Sequence, residues 1–173
     1  MQAVRQRRTS QDSSRVISAR NAAMGRANGL RTGLLVAGLL GVVCLVTATF
    51  SPVVEITVGT ARRLASLDTE LSGWDRHGPA LLVIAALAVV MVVGAFRGAR
   101  PAMAAVLVCG LAALVVALGF DLPALDDTGE VGELYADAVA GPGVGFWLEV
   151  GGGALLCVAG AGLLLVDRRR YQR

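Results

Sequence analysis

Four stretches of this chain consist almost entirely of apolar residues. They run over about 32–50, 79–96, 101–120 and 144–166. A helix rises about 1.5 Å per residue and the hydrocarbon core of a bilayer is about 30 Å thick, so about 20 apolar residues cross it. A helix also bonds its own backbone groups, as lipid requires. The pattern predicts an all-α integral membrane protein, built as a four-transmembrane-helix bundle.

The polar segments between these spans predict a small cap on one side of the membrane. Residues 52–59 form a β-branched and partly alternating run, which predicts a strand at 53–58. Residues 60–70 form either a second strand, which would complete a short β-hairpin, or a short helix. Because an isolated hairpin is only marginally stable, we expect the segments 51–78 and 121–143 to contact each other.

Two further signals lie within these segments. Ser72 and Asp75 favour a turn or a helix cap just before the second span. Residues 130–139 fit one short helix with its acidic residues near the N-terminal end, where the helix dipole favours them. We therefore expect the cap to be an ordered structure.

The distribution of charge assigns the two sides of the membrane. All 16 basic residues are arginine. Thirteen of them lie before the first span, in the turn that holds Arg97 and Arg100, or after the fourth span, whereas residues 51–78 contain three arginines against four acidic residues. Residues 121–143 instead contain six acidic residues and no basic one. By the positive-inside rule, both termini are predicted to be cytoplasmic, and 51–78 and 121–143 to be outer loops that form an extracytoplasmic cap.

Length and composition indicate one membrane domain with two short tails. The chain has 173 residues, of which 55% are hydrophobic, and its mean hydropathy is +0.65. A soluble domain of this size exposes too much surface to hide so many apolar side chains. Residues 1–30 predict a disordered basic tail, 31–166 the membrane domain, and 167–173 a second basic tail. The tails lack interleaved aromatic residues, so the expected partner is the lipid bilayer and not nucleic acid.

The candidate polar site consists of Glu149, Trp74 and His77. Glu149 is the only charge within the predicted spans, about one and a half turns into the fourth, and such a charge is a functional candidate. It lies four residues before Gly153 and should therefore face the bundle. We expect its carboxylate to reach interfacial water or to bond an outer-loop group. The candidate partners are Arg62, Arg63, Arg76 and Trp74.

No other chemistry stands out in the sequence. A single histidine does not make a metal cluster, and the acidic residues of the second outer loop lack the regular spacing of a calcium loop. The sequence contains no phosphate loop, nucleophile elbow or zinc-protease motif. The three cysteines all lie within spans and are interpreted as small apolar residues. The sequence therefore predicts no catalytic residue, no cofactor, no metal site and no enzyme activity.

Small residues recur at intervals of four along the predicted spans. In lipid, small side chains let helix backbones approach closely, so these positions are predicted to pack between helices. The predicted helix-packing residues are Gly94 and Gly98 in the second span, Ala105, Cys109 and Ala113 in the third, and Gly153, Cys157 and Ala161 in the fourth.

The order of features resembles a known kind of protein. The first span ends in Phe50-Ser51-Pro52, a β-like segment leads to Leu71-Ser72-Gly73-Trp74-Asp75, an Arg-Gly-Ala-Arg turn occupies 97–100, and a glycine-rich run at 141–146 begins the last span. Over most of the chain after residue 30, this order resembles small four-span membrane proteins of high-GC actinobacteria. Some of these are called tryptophan-operon-associated membrane proteins. The resemblance implies a bacterial plasma membrane and supplies no catalytic residues.

Three functional hypotheses follow from these features. The first is a non-enzymatic membrane protein that acts as an accessory or scaffold subunit of a larger complex, with a protein partner or a second copy of itself in the membrane. The alternative is a small transporter or channel component that acts as an oligomer. A membrane enzyme that uses outer-loop acidic residues with His77 is the third and least favoured hypothesis.

Overall fold

A computed structural model describes residues 25, 28–58, 70–126, 128 and 138–171. The predicted disordered tail falls almost wholly outside these residues. The segment that was expected to return as a strand or helix, with Arg62 and Arg63, also lies largely outside them. Residues from Leu34 to Arg173 form one compact unit, and those before Leu34 form another.

Each of the four apolar stretches is a helix, and the described chain is mostly helical. Three of the helices are long and apolar enough to cross a membrane, and the fourth, with 17 residues, is a shorter apolar helix. The helices are α1 (Asn28–Thr49), the single-turn α2 (Gly73–His77), α3 (Ala80–Phe96, the shorter one), α4 (Arg100–Val116) and α5 (Val144–Tyr171). The helical path of α4 continues through a π-helical turn and a 3-10 turn to Ala124, which gives it the length of a span.

The helical core is centred on α4, which packs against both α3 and α5. Branched and small side chains fill the interior, and its most deeply buried large apolar members are Leu45, Met103, Val106, Leu156 and Leu163. α4 and α5 approach so closely that a Cβ on Gly110 would lie 2.7 Å from the backbone nitrogen of Cys157. Only glycine fits there, and this backbone proximity is how helices gain dispersion contacts in an apolar environment.

A three-stranded antiparallel sheet covers one end of the helices. β1 (Pro52–Val58) lies in the centre, between β2 (Glu70–Ser72) and β3 (Ala138–Pro142). The predicted strand at 53–58 is confirmed, and so is the contact between the two polar segments, because β1 pairs with β3 from Val54 to Val58. We use the term cap for β1, β2, β3 and α2.

The third strand differs from the sequence expectation. Residues 138 and 139 belong to β3, whereas the sequence had suggested a helix through them, and residues 129–137 lie outside the described part. An unpaired strand edge leaves backbone donors and acceptors without partners. β3 satisfies that edge of β1, and tertiary pairing overrides the local helical preference.

The cap has its own small apolar core. Val53 and Val54 of β1 are buried against Ala117, Leu125 and Phe146, which follow α4 or begin α5. The strand therefore uses the helix ends as its second layer. This contact is what makes so short a sheet stable, since a few paired strands alone bury little surface.

A capping box begins α2, as the Ser72 and Asp75 signal predicted. The Ser72 hydroxyl accepts from the Asp75 backbone nitrogen at 3.2 Å, and the Asp75 side chain accepts from the Ser72 backbone nitrogen at 3.4 Å. Gly78 caps the C-terminal end of α2. Its φ of 54° is a backbone conformation that residues with a Cβ rarely adopt. This sharp turn leaves His77 as the last residue of α2, next to the start of α3.

Candidate functional site

Three separate elements bring polar side chains together where the cap meets the helices. Arg76 and His77 are the last residues of α2. Asp121 ends a π-helical turn, Ala117–Asp121, that follows α4, and Glu149 lies in the second turn of α5. We call Arg76, His77, Asp121 and Glu149 the polar cluster. A π-helical turn has wider backbone hydrogen bonds than an α-helical turn, from residue i to i+5. Such turns are frequent at functional sites.

Asp121 is the centre of the polar cluster. It is fully buried and accepts a hydrogen bond from Arg76 Nε at 2.5 Å. His77 Nε2 lies 2.8 Å from Asp121 Oδ1 and 2.9 Å from Oδ2, so the imidazole donates to this carboxylate when its proton is on Nε2. Arg76 Nη2 also donates to the carbonyl oxygen of Phe120 at 2.9 Å. These bonds attach α2 of the cap to the end of α4.

Glu149 is also fully buried. Its position four residues before Gly153 led us to expect that it faces the bundle. Both of its carboxylate oxygens lack a hydrogen-bond partner among the described residues. The expected bond to Arg76 or Trp74 is not formed, since Arg76 donates to Asp121 and Phe120. The expectation that the carboxylate reaches water is wrong as well, because Glu149 is 0% exposed. Arg62 and Arg63, the other two candidate partners, lie outside the described residues. A buried carboxylate without a partner is costly, by several kcal/mol if it is charged.

The polar cluster contains more negative than positive charge. With both carboxylates ionised and the imidazole neutral, Arg76, Asp121 and Glu149 sum to −1. The excess negative charge of the cluster is removed if the cluster takes up one proton or binds a cation. The arrangement is therefore chemically suited to holding a positively charged species beside Glu149.

The cluster also contains three side chains with the donor atoms that metals prefer. One ligand atom each from His77, Asp121 and Glu149 can be chosen so that all three lie within 4.8 Å of one another. This grouping differs from the sequence expectation of no metal site, which rests on the single histidine and the lack of a local ligand motif. Residues 77, 121 and 149 are far apart in sequence, and only the fold brings them together.

Trp74 lies apart from the polar cluster. It is exposed and stacks on Phe50, with ring centroids 6.3 Å apart and an interplanar angle of 12°. Phe120 and Trp147 are also exposed at this end of the helices. Aromatic residues at such positions are typical of a membrane–water interface. Trp74 is thus exposed, whereas Asp121 and Glu149 of the polar cluster are buried.

The predicted helix-packing positions differ in their surroundings. Gly94 faces α4, since a Cβ there would lie 2.8 Å from the Ala102 Cβ, and Gly153 faces Gly110 and Leu114. Cys157 also contacts Gly110. Ala113 is fully buried, whereas Ala105, Cys109 and Ala161 are only partly buried.

Gly98 has a different role from the predicted one. It is in the turn between α3 and α4, with a φ of 87°, and lies beyond the end of α3. A glycine is needed at position 98 because the turn requires a positive φ, and not because two helices approach each other there. The sequence pattern missed Gly110 and Gly160, which make the closest approaches of α4 and α5. A Cβ on Gly160 would lie 2.5 Å from the Leu107 backbone nitrogen.

No protein-family model matches the chain, and no curated protein matches it. The resemblance to small four-span proteins of actinobacteria therefore stays a prediction.

Proposed function

We propose that this chain is a four-span protein of a bacterial plasma membrane that acts, without catalysis, as an accessory or scaffold subunit of a larger membrane complex. The observation that carries the proposal is the apolar outer surface of the helices. In the most apolar stretch of each long helix fewer than half of the residues are buried, and every one of these helices exposes large apolar side chains. Examples are Val43 in α1, Val90 in α3, Val108 and Val115 in α4, and Val158 in α5.

Such a surface needs a cover of lipid or of another protein. Monomeric soluble proteins rarely expose apolar patches of more than a few hundred Å². α3, the shortest of the four apolar helices, is within the length range of a membrane span, since spans begin at about 17 residues. The exposed aromatic residues at the cap end support a membrane boundary at that level.

The orientation that we propose has both termini in the cytoplasm and the cap outside. It rests on the arginine distribution. Cysteine labelling tests it in a background with all three native cysteines replaced by alanine. A membrane-impermeant maleimide should modify S66C and T128C variants in intact cells, and it should modify an R97C variant only after permeabilisation. The opposite pattern would reverse the orientation.

The scaffold role is tested by photo-crosslinking in cells. A photoreactive amino acid is placed at the outward positions Val90, Val108 and Val158, with buried Ala113 as the matched control position. We expect a discrete adduct with another protein, or with a second copy, from one outward position and none from Ala113. A protein that yields lipid adducts at every outward position and purifies alone in mild detergent would contradict the scaffold role.

A second candidate is a small transporter or channel component, and the buried carboxylates of Asp121 and Glu149 favour it. Charged residues within membrane proteins often mark ion pathways. The hydroxyls of Thr47 and Thr49 in α1 donate to the carbonyl oxygens of Val43 and Leu45 in the same helix.

Cation and proton flux in proteoliposomes separates the two candidates. Transport that Glu149→Gln abolishes, and that the exposed-site control Glu55→Gln leaves intact, would favour the transporter. Flux that does not exceed that of protein-free liposomes would leave the scaffold role as the better proposal.

A further inference from the structure

We propose that His77, Asp121 and Glu149 bind one divalent transition-metal ion of the zinc type at the junction between the cap and the helices. The site does not depend on the scaffold role or on the orientation in the membrane, because it is a property of the folded chain. Two independent observations carry the proposal. They are the convergence of three ligand side chains from separate elements and the unpartnered carboxylate of Glu149.

The first observation is the spacing of the donor atoms. The ligand atoms of His77, Asp121 and Glu149 lie within 4.8 Å of one another, and His77 Nε2 is 2.8 Å from the nearer Asp121 oxygen. Zinc ligands lie about 2.0–2.2 Å from the ion, so in a tetrahedral arrangement they are about 3.3–3.6 Å from each other. The three donor atoms are therefore close enough together for one ion to contact all of them.

The second observation is the state of Glu149. It is fully buried, lies beside Asp121 and His77, and neither of its oxygens has a hydrogen-bond partner among the described residues. Buried polar groups in folded proteins nearly always have a partner, and an exception calls for an explanation. A cation bound between Glu149 and Asp121 provides one partner for both carboxylates and removes the repulsion between them.

Arg76 fits the site as a residue that positions Asp121. Its Nε holds Asp121 Oδ1 at 2.5 Å, and a metal ion would take the place of the 2.9 Å contact between Asp121 Oδ2 and His77 Nε2. Ligand carboxylates are commonly oriented by such an outer hydrogen bond. A dication neutralises the two carboxylates, so the guanidinium is the remaining charge. The Arg76 side chain is 24% exposed, and solvent stabilises its charge.

The donor set favours a transition metal over calcium or magnesium. Calcium and magnesium prefer oxygen ligands alone, whereas an imidazole nitrogen suits zinc and its neighbours in the first transition row. Three protein ligands also leave one position of a tetrahedral ion open. The His77 side chain is 11% exposed, so the ion has a route to the site beside α2.

Zinc binding to the full-length chain tests the proposal. The protein is purified in detergent with an affinity tag that contains no histidine, and bound zinc is measured by equilibrium dialysis and elemental analysis. We expect one zinc ion per chain with a micromolar or tighter Kd, and no displacement by an excess of magnesium. Glu149→Gln and Asp121→Asn should weaken binding about 10-fold or more. The controls Glu55→Gln and Asp126→Asn alter exposed acidic residues and should not change it.

X-ray absorption at the zinc edge of the wild-type protein supplies a readout that needs no variant to fold. We expect nitrogen and oxygen ligands that include one imidazole, and no sulfur. Sulfur ligands would assign the zinc to a cysteine and overturn the proposal. So would the absence of saturable zinc binding to the wild type, or equal affinity in a folded Glu149→Gln variant. The last two results would identify the polar cluster as a proton-holding ion pair.

Discussion

The two ends of the helix bundle each contain an arginine–aspartate pair, and the pairs differ in their surroundings. At the cap end, Arg76 bonds Asp121, whose side chain is 0% exposed. At the opposite end, Arg100 Nε donates to Asp167 Oδ2 and joins α4 to α5, with side chains 50% and 22% exposed. The same chemical pair therefore tests the effect of burial within one protein. Water screens and replaces an exposed pair, whereas a buried charge that loses its partner keeps the full cost of desolvation.

The largest effect is expected from Arg76→Gln. The change leaves the fully buried Asp121 beside the unpartnered Glu149, with His77 as its remaining partner. Removing one member of a buried pair costs about 3 kcal/mol or more of the free energy of unfolding. Thermal unfolding in detergent, followed by circular dichroism, measures the loss. A variant as stable as the wild type would show that the pair does not hold the cap.

Asp121→Asn should cost less than Arg76→Gln, about 1–2 kcal/mol, although it breaks the same pair. The arginine that it leaves behind is partly exposed and keeps its bond to the carbonyl oxygen of Phe120. The amide also removes the repulsion with Glu149. The matched control is Asp126→Asn, which changes an exposed residue in the same segment. If Asp121→Asn lowered the free energy of unfolding more than Arg76→Gln does, the buried carboxylate would not be the costlier group to leave unpaired.

Glu149→Gln should keep the fold and make the metal-free protein about 1 kcal/mol more stable. Glutamine keeps the volume and hydrogen-bonding capacity of glutamate and removes a buried negative charge. With zinc added, we expect the variant to be the less stable of the two proteins. Zinc stabilises the wild type, which binds it, and does not stabilise a variant that fails to bind it. Unfolding curves with zinc and with a chelator give both comparisons. Destabilisation of the metal-free variant would mean that Glu149 has a partner at this junction.

The smallest effect is expected from Asp167→Asn at the opposite end. Exposed ion pairs contribute about 0.5 kcal/mol or less, and added salt weakens them. The unfolding midpoint should therefore stay close to that of the wild type, and its difference should shrink further at high ionic strength. If Asp167→Asn lowered the free energy of unfolding as much as Arg76→Gln, burial would not explain the difference between the two arginine–aspartate pairs.

Local sequence patterns predicted most of the secondary structure of the described chain. The apolar stretches became α1, α3, α4 and α5, the β-branched run became β1, and Ser72 with Asp75 formed the capping box. These features depend on residues a few positions apart, which is the range over which hydrophobic periodicity and capping act. β3 was missed because its pairing with β1 depends on residues about 85 positions away.

The candidate site was predicted in part. Glu149 and His77 were selected as candidates, because one is a charge in an apolar stretch and the other is the only histidine of the chain. Asp121 was treated as one of six acidic residues in a polar segment. One signal was present, however. His77, Asp121 and Glu149 all lie near ends of predicted spans on the same side of the membrane, so the predicted topology placed them at a similar depth.

By itself, the sequence determined that the chain is mostly helical and apolar, which four stretches form its apolar helices, and how arginine is distributed along it. These properties follow from local periodicity and composition. Only the tertiary structure decided that Arg76 bonds Asp121 and not Glu149, that a π-helical turn carries Asp121 into the interior, and that Gly110 and Gly160 lie where α4 and α5 approach most closely. Those outcomes depend on the relative rotation and approach of α2, α4 and α5, and the packing of many side chains at once sets that geometry.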